Sequence, residues 1–163
     1  MPEDRKLQGL ILDLSIKENI VLPSLRSISN CMVINSSKEK KLVDDHIGEL
    51  QIKTPSVNQT VKLLSGGNQQ KVVISKWLAA SPRILIFDEP TRGIDVGAKH
   101  EIYVLMRKLV EQGISIIMVS SEMEELIGMS DRIYIMHEGR ISGELKNPED
   151  FTQENIMKFA SMN

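Results

Sequence analysis

Apolar residues recur along this chain with two periods, and those periods predict its elements. Ile84-Leu85-Ile86-Phe87 is an unbroken apolar run, which predicts a short strand buried on both faces, as in a parallel sheet. Ile114-Ser115-Ile116-Ile117-Met118-Val119 predicts a second buried strand. Between them Ile102, Leu105, Met106 and Leu109 share one face of a helix over 97–112, which Gln112-Gly113 ends. Helix, then strand, then helix argues for a parallel α/β sheet.

The flanks read in the same way. Val72, Val73, Ile74, Trp77 and Leu78 follow Ser65, a strong N-cap, so a helix starts at Gly66-Gly67. Leu42, Val43, Ile47 and Leu50 give an amphipathic helix over 38–50, whose Lys38–Lys41 run is a solvated surface. Ser15 and Glu18 form a capping box in a region rich in apolar residues from Leu10 to Leu22. Ser24 to Ser37 reads as a loop, Thr54-Pro55-Ser56 as a break, and 57–63 as a short helix. Downstream come a helix from Glu122 to Gly128 and a strand over Asp131–Met136. A hairpin turn at His137–Arg140 leads into Ile141–Leu145, and a final helix runs from Pro148 to Met162. In that last helix Phe151, Ile156, Met157 and Phe159 are available for packing.

Composition narrows the class. The chain has 163 residues, 41% hydrophobic and 26% charged, which is one ordinary globular domain's worth. A net charge of −2 gives no reason to expect nucleic acid or an anionic membrane surface. A single cysteine, Cys31, excludes an internal disulfide framework and is expected to be a buried or idle thiol. His46, His100 and His137 are too scattered to suggest a metal site. No apolar run is long enough to span a bilayer, so membrane association would come through a partner.

Two stretches carry chemistry. Ser65-Gly66-Gly67 places small residues where a helix start exposes unpaired N–H groups, which suits a phosphate. Read alone, it is equally a serine cap with flexible glycines. Asp88-Glu89-Pro90 puts two carboxylates at the C-terminal end of the first strand, where open α/β sheets bind ligands. An Asp there can hold Mg²⁺ on a nucleotide, and the next Glu can polarise a water towards a γ-phosphate. A solvated turn is the alternative for each stretch alone; their joint occurrence favours the chemical reading.

Leu64-Ser65-Gly66-Gly67-Asn68-Gln69-Gln70-Lys71, followed by the run from Ile84 to Lys99, resembles the signature motif, Walker B and D-loop of an ATP-binding cassette ATPase. The wording is similar to the second cassette of the double-cassette ATPases that energise bacterial import of ribose, galactose or xylose. It extends from Pro2-Glu3-Asp4-Arg5-Lys6 to Ser142-Gly143-Glu144. The resemblance implies a partial P-loop NTPase domain, a parallel sheet with flanking helices plus a helical subdomain. No GxxxxGK[ST] is present, so the chain is expected to be a fragment without the P-loop part. Residues 1–80 would hold a Q-loop remnant, the helical subdomain and the signature helix. Residues 81–163 would hold the Walker B, D-loop and H-loop part of the core.

The resemblance also implies a site. Leu64, Ser65, Gly66, Gly67, Asn68, Gln69, Asp95 and Glu3 would meet ATP, Asp88 would hold its Mg²⁺, and Glu89 and Ser121 would be catalytic. Two cassettes would sandwich each ATP between one P-loop and the other's signature. Two positions depart from the family pattern: Glu3 aligns with a glutamine and Ser121 with a histidine. A carboxylate at Glu3 would repel the γ-phosphate, so this cassette's own site is expected to hydrolyse poorly while its signature serves the better one. Ser120 or Ser121 could equally be a plain helix cap, Glu3 a plain charged residue, and most of Leu10–Leu22 core rather than partner surface. The implied partners are the first cassette of the same subunit or a second copy, a transmembrane permease and, indirectly, a periplasmic sugar-binding protein. The implied place is the cytoplasmic face of the bacterial inner membrane, as a peripheral subunit. The full-length protein would be an ATPase, the isolated fragment inactive and prone to self-associate. Two further readings are a non-transport ABC ATPase of DNA repair or translation, and a non-catalytic interaction module.

Overall fold

The computed structural model describes residues 1–30 and 33–161, so the expectation for Cys31 lies outside the described residues. The chain forms two compact units, Met1–Val119 and Ser120–Asn163.

In the first unit, α1 (Ile16–Val21) starts at the expected capping box. Ser15 Oγ accepts from the Glu18 amide at 3.2 Å and Glu18 Oε2 accepts from the Ser15 amide at 2.8 Å. Residues 57–60 are not helical as expected; only Val61–Leu63 makes a 3₁₀ turn. Their carbonyls are engaged elsewhere: Gln59 and Val57 accept from the Ile16 and Lys17 amides, both at 3.0 Å. They thereby satisfy donors that the start of α1 leaves unpaired. Asn19 is fully buried and bonds Ile11 through both its oxygen, at 2.9 Å, and its nitrogen, at 3.0 Å. That pair fixes the apolar segment before α1 onto the helix.

The stretch from Ser24 to Ser37 is more ordered than its serine-rich composition predicts. It holds α2 (Leu25–Ile28) and the paired strands β1 (Ser29–Asn30) and β2 (Val33–Ile34). Next, α3 (Ser36–Leu50) starts on an Asn35 cap and ends on a left-handed Gln51, with Val43 and Leu50 buried. Then α4 (Gly66–Leu78) packs against α1 and α3 and buries Val72, Val73 and Ile74 completely.

Strands β3 (Ile84–Asp88) and β4 (Ser115–Val119) pair in parallel, with Asp88 beside Val119. Between them α5 (Val96–Glu111) buries Ile102, Leu105, Met106 and Leu109, the expected face. The expectation that both strands are buried on both faces is corrected. Leu85 and Phe87 are buried, but Ile84 and Ile86 are 58% and 54% exposed, and Ile117 and Val119 are each 52% exposed. Alternate residues point to opposite sides of a sheet, and one side of this pair is uncovered.

The second unit contains α6 (Met123–Met129), β5 (Ile133–His137), β6 (Arg140–Leu145) and α7 (Gln153–Ala160). Strands β5 and β6 form the expected hairpin, with left-handed Glu138 and Gly139 at its turn. The last helix is shorter than expected: Pro148–Asp150 is a separate 3₁₀ turn, and Thr152 caps α7. Phe151, between that turn and the cap, joins Ile133, Ile135, Leu145 and Ile156 in a core. Gly143 admits Phe159 onto β6, because a Cβ there would lie 2.4 Å from the ring.

Candidate functional site

The exposed Ser65 begins α4, and its hydroxyl accepts from the Asn68 amide at 3.5 Å and from Asn68 Nδ2 at 2.9 Å. Asn68 Oδ1 accepts from the Lys53 amide at 2.8 Å. The next residues turn inward. Gln69 is 4% exposed and donates to the Val61 carbonyl at 3.3 Å. Gln70 donates to the Pro90 carbonyl at 2.7 Å, and Lys71 pairs with Glu101 at 2.7 Å. Polar residues that read as ligand contacts or surface in the sequence therefore tie the helix to four distant segments. Leu64 and Gly66 are half-buried and Gly67 is buried.

The glycines have a packing reason of their own. A Cβ on Gly67 would stand 2.7 Å from Ala98 Cβ, and one on Gly66 would stand 3.0 Å from Arg5 Nη2 and 3.5 Å from the Gly93 carbonyl oxygen. Bare backbone there lets the start of α4 close onto the start of α5. The Asn68 amide is engaged by the Ser65 hydroxyl, so the Gly66 and Gly67 amides are the donors of that first turn suited to an anion.

Asp88 ends β3 half-buried, and Glu89 follows it with φ +46°. A glutamate in the left-handed region is strained by about 1–3 kcal/mol, and such strain clusters at functional sites. The Glu89 amide donates to the Val119 carbonyl at 2.9 Å, which holds the carboxylate at the sheet's C-terminal end. Thr91 is buried, Gly93 has φ +66°, and the Asp95 carboxylate caps α5 by accepting from the Ala98 amide at 3.0 Å. Among the described residues no group of three or more His, Cys, Asp or Glu side chains could hold a metal by itself. One or two carboxylate oxygens at a strand end nevertheless fit Mg²⁺, which is usually held by few protein ligands together with phosphates and water.

Residues 3–5 reach the same loop. The Glu3 carboxylate forms an ion pair with the Arg92 guanidinium, so its charge is met within the chain. Arg5 Nη1 donates to the Arg92 carbonyl at 2.7 Å and Nη2 to the Gly93 carbonyl at 3.1 Å. Neither Arg5 nor Arg92 is among the site residues expected from the sequence, although both stand inside its motifs. The structure thus brings Glu3, Gly66, Gly93 and Arg92 together. In the second unit Ser121 is an exposed residue just before α6, and its neighbour Ser120 accepts from the Glu122 amide at 3.1 Å.

The start of α4 thus closes on the loop that follows Asp88-Glu89, beside a parallel strand pair. The family model described as ABC transporter matches residues 4–92, and the chain belongs to that family. A ribose import ATP-binding protein of Oceanobacillus iheyensis is 58% identical over 159 residues, which is 98% of this chain and 32% of the relative. A xylose import ATP-binding protein of Thermoanaerobacter pseudethanolicus is 53% identical over 161 residues, 99% of this chain and 32% of the relative. The chain spans about a third of the length of these curated relatives. A dimeric ATP-binding cassette solved in a post-hydrolysis state with ADP and Pi matches with TM-score 0.72 at 27% identity, over 86% of this chain and 60% of that one. The cbiO1 part of the cbiONQ transporter complex of Clostridium perfringens matches with TM-score 0.75 at 24% identity, over 96% and 59% of the two chains. No described helix is long and apolar enough to cross a membrane.

Proposed function

We propose that this chain is the signature-bearing part of an ATP-binding subunit that couples ATP hydrolysis to monosaccharide uptake through a separate membrane permease. The reading rests on the convergence of Ser65-Gly66 with the loop that follows Asp88-Glu89, in a chain 58% identical to a ribose import protein. Residues 1–80 offer the signature to an ATP cradled by the P-loop of the first cassette of the same subunit or of a second copy. Residues 81–163 serve the cassette's own ATP.

In this scheme Leu64, Ser65, Gly66, Gly67 and Asn68 lie along the phosphates, and Gln69 supports them from inside the helix. Asp95 steadies the D-loop by capping α5. Asp88 would hold Mg²⁺, which when bound would supply neutralisation of phosphate charge. Glu89 orients the attacking water and accepts its proton. Glu3, its charge met by Arg92, is a nucleotide contact of the first unit, and Ser121 is the catalytic polar residue of the second. Most of the rate comes from positioning and electrostatics. The subunit works at the cytoplasmic face of the bacterial inner membrane, and a periplasmic sugar-binding protein delivers the substrate to the permease.

The weaker hydrolysis proposed for this cassette's own site rests on Ser121, which cannot supply the switchable cation of a histidine, and is tested in the full-length protein. Ser65→Arg should abolish turnover, whereas Glu89→Gln should lower it less than the same change in the other cassette. Equal loss from the two glutamine variants overturns the asymmetry.

The uncovered face of Ile84, Ile86, Ile117 and Val119 favours one further reading for the isolated chain, self-association with a second copy. A monodisperse monomer by light scattering at high concentration contradicts it.

A further inference from the structure

We propose that Arg5 is a positioning residue that locks the Gly66 end of α4 to the Arg92–Gly93 loop, so that the two stretches shift together. Its significance for catalysis rests on the nucleotide reading above, in which these stretches face two different ATP molecules.

The geometry is that of a clamp. The guanidinium uses two nitrogens on two successive carbonyls, Arg92 at 2.7 Å and Gly93 at 3.1 Å. A planar fork matches such a pair; a lysine head is a single point. The same Nη2 stands 3.0 Å from where a Gly66 Cβ would be, so the guanidinium lies between helix end and loop. Glu3 grips the Arg92 side chain of that loop as well.

The base of the clamp is also fixed. Arg5 opens a π-helical turn, Arg5–Gly9, whose cap Asp4 accepts from the Lys6 and Leu7 amides at 2.8 and 3.0 Å. Gly9 seats that turn on α4, since a Cβ there would be 3.1 Å from Val73 Cγ2. Arg5 thus stands on one side of α4 and holds a loop against its end. Gly93, at φ +66°, has no side chain with which to hold itself.

The test is amide hydrogen exchange on the whole chain, with no nucleotide present. Arg5→Ala should raise exchange at least tenfold in both the 66–69 and 92–95 segments, since each lost charge-assisted bond alone corresponds to about that factor or more. The middle of α5, in the same unit and packed by Ile102, Leu105 and Leu109, should be unaffected, which reports that the variant folds. Arg5→Lys should not restore protection. Gly66→Ala, which displaces the guanidinium, should raise exchange at 92–95, and the double variant should match the single ones. Unchanged exchange, additive effects or full rescue by lysine overturns the clamp. In the full-length protein Arg5→Ala should lower kcat about tenfold at constant KM for ATP, the mark of lost transition-state geometry. An inactive wild-type protein would contradict the nucleotide reading, while the exchange result still decides the clamp.

Discussion

Gln70 Nε2 donates to the Pro90 carbonyl at 2.7 Å, joining the signature helix to the turn immediately after Asp88-Glu89. Both residues are buried, so water cannot substitute for either partner. Gln70→Leu leaves that carbonyl unpaired and should cost about 1–3 kcal/mol. Urea unfolding should show a lower midpoint at unchanged m-value.

Gly67 and Ala98 bring α4 and α5 close together: a Cβ added at Gly67 would stand 2.7 Å from Ala98 Cβ. Gly67→Ala should destabilise by about 1–3 kcal/mol through overpacking. Ala98→Gly in the same chain should recover much of that loss, because it removes the opposing methyl. A double-mutant cycle in urea measures the coupling.

Lys71 is 7% exposed and its partner Glu101 47% exposed. The Lys71 ammonium, with a smaller contribution from Lys53, holds the Glu101 carboxyl below its ordinary value of 4.5. A depressed carboxyl stabilises the fold above its unfolded pKa, and that gain is lost as pH falls through the folded value. Solvent screening at Glu101 limits the pair, so Glu101→Gln should cost about 1 kcal/mol near neutral pH. The variant should also lose less stability than the parent on acidification below about pH 4.5. Urea titrations at stepped pH give both numbers.

His46 shares that preference for the deprotonated form, for a different reason. Burial lowers its pKa from the ordinary 6.5, outweighing Glu49 and Asp45, which pull it up. The unfolded chain therefore takes up the proton first, and stability falls as pH drops below about 6.5 towards the folded value. His46→Gln should flatten that part of the melting-temperature profile.

Strong periodicity made α3, α4 and α5 legible, because each presents one apolar face to the interior; Ser65 also marked the start of α4, whereas the Asn35 and Asp95 caps stood in stretches read as loops. The motif wording made the family legible. The uncovered face of β3 and β4 was not, since Ile84 and Ile86 read the same whether or not another layer covers them. The roles of Gln69, Gln70 and Arg5 were hidden for a different reason. Each bonds a backbone carbonyl 8, 20 or 87 residues away, and a carbonyl leaves no mark in the sequence. Glycine gaps carry the same ambiguity: Gly66 and Gly67 suit an anion and also suit Arg5 and Ala98. The left-handed Glu89 runs against its residue type and shows only in the backbone.

Calorimetric titration of the 163-residue chain with MgATP tests the central claim most directly. If the signature completes a site whose phosphate cradle lies on another P-loop, the chain alone should give no binding heat. Micromolar binding would contradict this, because it would require a second nucleotide-holding element within these residues.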